Sequence, residues 1–191
     1  NPVNGDTRAL RNNMREAIRL LQEAGYERRD GRMVDAETGE PLSFEVILNG
    51  PTIERVALPF SEDLAKIGID MRVRAVEPSQ YVNRVRSRNF DMIYAGWAQS
   101  LSPGNEQFDY FGSEAADREA SRNYGGIADP AVDELIRRVV FAENREGLVA
   151  ATKALDRVLM ANQYVIPSYT ARNTRIAYRD KFGRPDPLPK Y

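Results

Sequence analysis

The sequence predicts an α/β domain, a mostly parallel sheet flanked by helices. Three observations carry that expectation. Residues 43–48 alternate, with Phe44, Val46 and Leu48 on one side, as a strand requires. Val56, Phe60, Leu64 and Ile67 then recur at helical spacing, and residues 69–73 return to a strand pattern beyond Gly68. A strand, a helix and a strand in so short a span form a βαβ unit, with parallel strands and a right-handed crossover.

Before that unit, Leu10, Met14, Ile18 and Leu21 mark one face of a helix that stops at Gly25, a left-handed cap. Residues 28–41 are polar and rich in turn residues, with Asp30-Gly31 and Thr38-Gly39, the mark of a hairpin. After the unit comes a shorter helix, with Ser79 as its cap and Tyr81, Val82 and Val85 as its apolar face. Residues 90–95 form the next strand. With all three strands parallel, the loops after Leu48 and Ala95 open at one sheet edge, beyond the carboxyl ends where open α/β sheets bind ligands. Residues 97–128 are long and irregular, with a short helix expected near 114–119. Asp129-Pro130 starts another helix, Asp as cap and Pro in the first turn, with Leu135, Ile136, Val139 and Val140 facing inward. A second helix over 145–161 offers Leu148, Leu155, Val158 and Leu159. Residues 164–169 read as a strand interrupted by Pro167, hence an edge or a crossing segment, and 175–178 as one more short strand.

Composition narrows function. With a net charge of −1 over 191 residues, no bulk field draws the chain to nucleic acid or to an anionic membrane. No apolar run approaches a membrane span, and the first residues lack the features of a secretory signal. Cys and His are absent, which removes thiol nucleophiles, disulfides, His-based triads and imidazole metal ligands from this chain. Only four of the 27 basic residues are lysine (Lys66, Lys153, Lys181, Lys190). The arginine excess reads either as codon bias or as forks for carboxylates and phosphates. No glycine-rich phosphate signature occurs, and the sequence implies no cofactor.

Residues 90–107, FDMIYAGWAQSLSPGNEQ, are the best site candidate. A strand runs into Gly96-Trp97, the only Trp of the chain, and then into a loop of hydrogen-bonding groups without a nucleophile suited to attack. Such a segment is built to hold a ligand rather than to break one. Trp97 either stacks on that ligand or plugs the core. Gln99, Ser100, Asn105 and Gln107 either meet a peptide backbone or make local turn bonds. Arg122, Asn123 and Tyr124 form a second polar and aromatic group in the same loop, where Arg122 either grips a carboxylate or makes a surface salt bridge. Asp109, Glu114, Asp117 and Glu119 raise the alternative of a carboxylate-based hydrolase, although none resembles a known metal loop.

The ordered set EAGY (23–26), RDGRMVDAETGEPLSFEVIL (29–48), LAKIGIDMRVRAVEPSQYVNRV (64–85), FDMIYAGWAQSLSPGNEQ, NYGGIADPAVDELI (123–136) and YVIPSY (164–169) resembles the C-terminal part of family 5 extracellular solute-binding proteins. These are the oligopeptide and dipeptide receptors of ABC importers, and SLSPGNEQ and SRNYGGI are similar to the microcin C/oligopeptide subgroup of the Yej type. The resemblance implies the second lobe of a class II periplasmic binding protein-like fold. Residues 1–165 would form that peptide-binding lobe, and residues 166–191 a crossing segment and tail belonging with lobe I. It further implies a periplasmic receptor that holds an oligopeptide or modified peptide non-covalently and docks on importer membrane subunits, with lobe I and a signal peptide elsewhere in the polypeptide. Relatives of this kind place an Asp shortly after this strand, in an Ala-Asp-Tyr context, to pair with the peptide's amino terminus. Gln99 stands there here, and a neutral amide supplies no ion pair. A ligand-sensing domain of a transcriptional regulator is the rival reading.

Overall fold

Three of the six described α-helices begin where a short polar side chain accepts from the first free backbone N–H groups. Asp6 Oδ1 accepts from Arg8 N (2.8 Å) and Ala9 N (2.7 Å) and opens α1 (Thr7–Glu23). Gly25, at φ 90°, turns the chain out of that helix as expected. The computed structural model describes residues 5–168 and, beyond them, 173, 177, 179, 181, 183 and 185–187.

Strands β1 (Tyr26–Arg29) and β2 (Arg32–Asp35) pair antiparallel across Asp30-Gly31. Both turn residues have positive φ, 49° and 83°, the geometry of a tight two-residue hairpin. This hairpin packs on α1 and on the end of the next helix, around the fully buried Met33 with Ile67 and Ile69.

The sheet proper contains β3 (Ser43–Asn49), β4 (Asp70–Val76) and β5 (Met92–Ile93), in the order β4-β3-β5 and all parallel. The predicted βαβ unit is therefore present. Strand β3 is central and buried on both faces: Val46, Ile47 and Leu48 are all buried, so the one-sided alternation understated it. The predicted strand over 90–95 is in place, but its ladder is only two residues long. Glu45 N donates to the Asp91 carboxylate (2.9 Å) and Tyr94 O accepts from the Tyr81 hydroxyl (2.8 Å), so side chains take over where ladder bonds would continue.

Helix α2 (Glu54–Lys66) sits rotated from the predicted face. Ala57 is buried, Ile53 and Leu64 pack beside it, and Ser61 Oγ donates to Met71 O (2.7 Å). Val56 and Phe60 face outward because the small Ala57 and Ser61 allow the closer approach to the sheet. Helix α3 (Pro78–Arg86) begins one residue before the expected cap Ser79. Glu77 holds the cap position and Pro78 the first turn, where a missing N–H costs nothing.

The long loop is more ordered than expected. Helix α4 (Glu106–Phe111) and a 3-10 turn at Ser113–Ala115 replace the helix predicted near 114–119. Helices α5 (Pro130–Val140) and α6 (Arg145–Ala161) form where predicted and pack together, capped by Asp129 and Asn144, around Val132, Ile136, Val139, Ala151, Leu155 and Ile127. Residues 164–168 make no strand, contrary to expectation, since Pro167 has no N–H to offer and no described strand lies alongside. Tyr169, and Arg175, Ile176 and Tyr178 of the other expected strand, lie outside the described residues.

Candidate functional site

Because β3 and β5 run parallel, their carboxyl ends, Asn49 and Ile93, share one edge of the sheet. The chain leaves that edge through Tyr94 and Gly96 and reaches Trp97, which is partly buried. The indole N–H donates to Arg122 O (2.9 Å). Its ring tilts against Phe111 (centroids 5.6 Å apart, 46° between planes) and Tyr124 (5.5 Å, 39°), within the range of favourable aromatic pairs. Trp97 is thus both a structural wedge and a partly exposed aromatic face.

Tyr110, buried in α4, links the two arms of the loop. Its hydroxyl donates to Ala98 O (3.1 Å) and accepts from Arg122 Nη1 (3.1 Å). The Arg122 guanidinium carbon lies 5.2 Å from the Tyr110 ring centroid, a cation–π placement. A hydrogen bond with the Tyr124 side chain holds Arg122 still more firmly protonated. Burial raises the pKa of Tyr81, and the neighbouring Tyr124 adds to that shift.

The amides divide into two kinds. Gln107 is buried, and its Nε2 donates to Gln99 Oε1 (2.8 Å) and Glu106 Oε1 (3.1 Å). Burial alone would raise the Glu106 pKa, but the N–H groups of Gly104 and of Glu106 itself, with the Gln107 amide, bring it below the usual value. Asn123 is fully buried, and its side chain is committed to backbone: Nδ2 donates to Gly112 O (3.0 Å) and Ile127 O (2.8 Å), while Oδ1 accepts from Ile127 N (2.8 Å). The expectation that Asn123 faces a ligand is corrected accordingly, since it anchors the loop from within. Gln107 also works from inside, orienting the exposed Gln99.

Ser100 makes a local turn, donating to Ser102 O (2.8 Å) and accepting from Ser102 N (3.1 Å). Asn105 lines a separate hollow of 330 Å³ with Phe108, Asp109 and Arg118. The structure therefore gathers Trp97, Gln99, Arg122 and Tyr124 with Gln107 and Asn123 beneath them, and sets Ser100 and Asn105 apart.

Sequence reading missed Tyr110, Phe111 and Arg88. The run EQFDYF carries aromatics at helical spacing, and that periodicity was the available signal. Arg88 Nη2 donates to Ala115 O (2.8 Å) and Ser121 Oγ (2.8 Å), pinning the far end of the loop to the end of α3, a long-range tie that no local pattern announces. Asp109 pairs with Arg118, and Glu114, Asp117 and Glu119 are exposed. Among the described residues no three acidic groups gather as a metal would require, and no helix is long and apolar enough to cross a membrane.

Residues 1–119 match the family model of bacterial extracellular solute-binding proteins, family 5 (middle). The chain is 58% identical over its full length to the uncharacterized protein y4wM of Sinorhizobium fredii, covering 29% of that protein. It is 51% identical, again over all 191 residues, to the probable peptide-binding protein YejA of Agrobacterium fabrum, covering 31% of it. The chain thus spans under a third of the length of these relatives. Among solved structures, the oligopeptide-binding protein AppA of Bacillus subtilis, in complex with a nonapeptide, superposes with a TM-score of 0.69 at 25% identity. That match covers 78% of this chain and 30% of AppA, and it agrees with the expected periplasmic binding protein-like lobe.

Proposed function

Because the chain belongs to the bacterial extracellular solute-binding proteins of family 5, we propose that it is one lobe of a two-lobed peptide receptor serving an ABC importer. In this reading residues 1–165 form lobe II, and residues 166–191 cross to lobe I elsewhere in the polypeptide. The receptor works in the periplasm, encloses an oligopeptide or modified peptide between its lobes, and presents the closed form to the importer's membrane subunits. Binding is non-covalent, and no residue of this wall is assigned a catalytic step.

One observation carries the reading. At the carboxyl edge of a parallel sheet, Trp97, Tyr124, Gln99 and the Arg122 guanidinium converge on a loop held by its own internal hydrogen bonds. Aromatic faces supply contact area with little conformational freedom to lose, and amide and guanidinium groups match peptide carbonyls and carboxylates. Gln99 is a neutral partner, so it gives a free peptide amine no ion pair.

Calorimetry tests this with one pool of short peptides titrated into the intact receptor and into this chain alone. The intact receptor is expected to bind, while the single lobe, offering half a site, binds weakly or not at all. Submicromolar binding by this chain alone would overturn the two-lobe reading. An intact receptor that ignores every peptide would overturn the peptide reading.

A further inference from the structure

Most described arginines from Arg88 onward are already committed. Arg118 pairs with Asp109, Arg137 and Arg138 share Glu134, Arg88 is spent on carbonyl and hydroxyl oxygens, and Arg145 donates to Leu101 O. Arg122 differs. Its polar contacts are the Tyr110 hydroxyl and the Tyr124 side chain, and no carboxylate of the described residues lies within ion-pair distance. Asp109 attracts it through space, but the Asp109 carboxylate is engaged by Arg118.

The surroundings fix the orientation of this cation without neutralising it. Tyr110 lies against the guanidinium with its centroid 5.2 Å from the central carbon, and the indole N–H of Trp97 holds the Arg122 carbonyl at 2.9 Å. A guanidinium carries five N–H donors in a planar fork, and two phenols do not exhaust it. That fork matches a carboxylate with two parallel hydrogen bonds, which an ammonium point charge does not. The acid beside this wall, Glu106, is turned inward onto Gly104 N and the Gln107 amide, so the wall presents a cation and a neutral amide but no free acid.

We infer that Arg122 is the specificity-determining residue of this wall and receives a carboxylate of the bound peptide, so that ligands are selected by an acid group rather than by a free amine. The inference rests on the peptide-binding reading above. A peptide carries such a group at its carboxyl terminus or on an Asp or Glu side chain, and the chemistry at Arg122 is the same for both.

The test uses the intact receptor and three pools of short random peptides in calorimetry. One pool has free carboxyl termini and lacks Asp and Glu, one is carboxyl-amidated and lacks them, and one is amidated but contains them. At least one acid-bearing pool is expected to bind about tenfold to a hundredfold tighter than the doubly neutral pool, as a charge-assisted pair demands. The pool that shows the gain identifies the source of the carboxylate. Arg122→Gln should erase the gain, and Arg122→Lys should restore part of it by keeping the charge without the fork. Thermal melts of both variants show whether the fold is retained, and the comparison of pools on the unmodified receptor needs no variant. Equal binding of the neutral pool would overturn the inference while leaving the peptide reading intact. An Arg122→Gln receptor that still prefers acids would overturn it too, and failure of all three pools to bind would take both readings down.

Discussion

Replacing Asn123 by Ala removes one internal anchor of the site loop. The side chain is fully buried and makes three hydrogen bonds, two from Nδ2 to Gly112 O and Ile127 O and one to Oδ1 from Ile127 N. The variant strands three buried backbone groups, each worth about 1–3 kcal/mol when unpaired, and partial relaxation of the loop brings the net loss to about 3 kcal/mol. For a chain of this size that lowers Tm by roughly 6–12 °C. Asn123→Asp sharpens the test, because it keeps the shape and the acceptor but turns a carboxylate toward two carbonyl oxygens at 3.0 and 2.8 Å. Desolvation and those oxygens raise the pKa of the new acid above its unfolded value of about 3.9, so the native state binds the extra proton. Stability of this variant then falls as pH rises above that unfolded value, and its deficit relative to the parent shrinks on acidification. Melts of parent and both variants at neutral and mildly acidic pH decide the matter. Asn123→Ala melting within about 1 °C of the parent, or Asn123→Asp behaving as a silent isostere, would refute the assignment of Asn123 as the internal anchor.

Other substitutions separate the remaining contributions. Gly68→Ala would bring a Cβ to 2.6 Å from Met33 N and 2.9 Å from Gly31 O at φ 90°, whereas Gly25→Ala at the same φ meets nothing within 4 Å. Urea unfolding should therefore find Gly68→Ala at least about 2 kcal/mol worse than Gly25→Ala, whose cost is the left-handed backbone alone, about 1 kcal/mol. Trp97→Phe keeps a ring and loses the bond to Arg122 O, for about 1 kcal/mol, while Trp97→Ala also loses packing on Phe111 and Tyr124, for about 2–4 kcal/mol. The Asp35 carboxylate is held below the usual range by the Thr38 N–H, then by the Thr38 hydroxyl and the Glu37 N–H. Its contribution is present above the unfolded carboxylate value and is lost as pH falls through the lower folded one. Asp35→Asn should accordingly flatten the loss of urea stability between about pH 5 and about pH 2.

What the sequence made legible was local. Gly25, Asp30-Gly31 and Asp129-Pro130 impose their turns and caps through backbone conformations that neighbours hardly alter. The βαβ unit was equally visible, since its two periodicities are intrinsic to strand and helix. The rotation of α2 was hidden, because Val56 and Phe60 are more apolar than Ala57 and Ser61, and only the closeness of the sheet selects the smaller pair. Strand β5 lost length to Asp91 and Tyr81, partners distant from it or lying outside its ladder. Among the candidate wall residues, Trp97 and Gln99 were picked out by residue type at a strand end, and Arg122 and Tyr124 by residue type further along the same loop. The interior roles of Gln107 and Asn123 were not, because a polar loop residue reads as exposed until its partners 8 and 11 residues away are known.

That division between surface and interior has a functional consequence. Trp97 Nε1, Tyr110 OH, Gln107 Nε2, Asn123 and the Arg88 guanidinium are all bonded within the chain, and among the described residues no buried side-chain nitrogen or oxygen lacks a partner. The loop is ordered by folding, so a ligand meeting it loses little further conformational entropy. Anchors and contacts must then fail differently. Loosening Gln107 or Asn123 displaces Gln99, Arg122 and Tyr124 together and weakens every ligand by a similar factor, because the ordering cost returns to the binding step. Arg122→Gln gives up the bond to Tyr110 but keeps the Trp97, Gln107 and Asn123 anchors, so it is expected to weaken acid-bearing ligands far more than the others. Gln107→Ala and Arg122→Gln, titrated against matched acid and amide peptides in the intact receptor, should give a uniform loss in the first case and a selective loss in the second. A selective loss from Gln107→Ala would mean that the buried amide itself reads the ligand, and the separation of anchor from contact would fall.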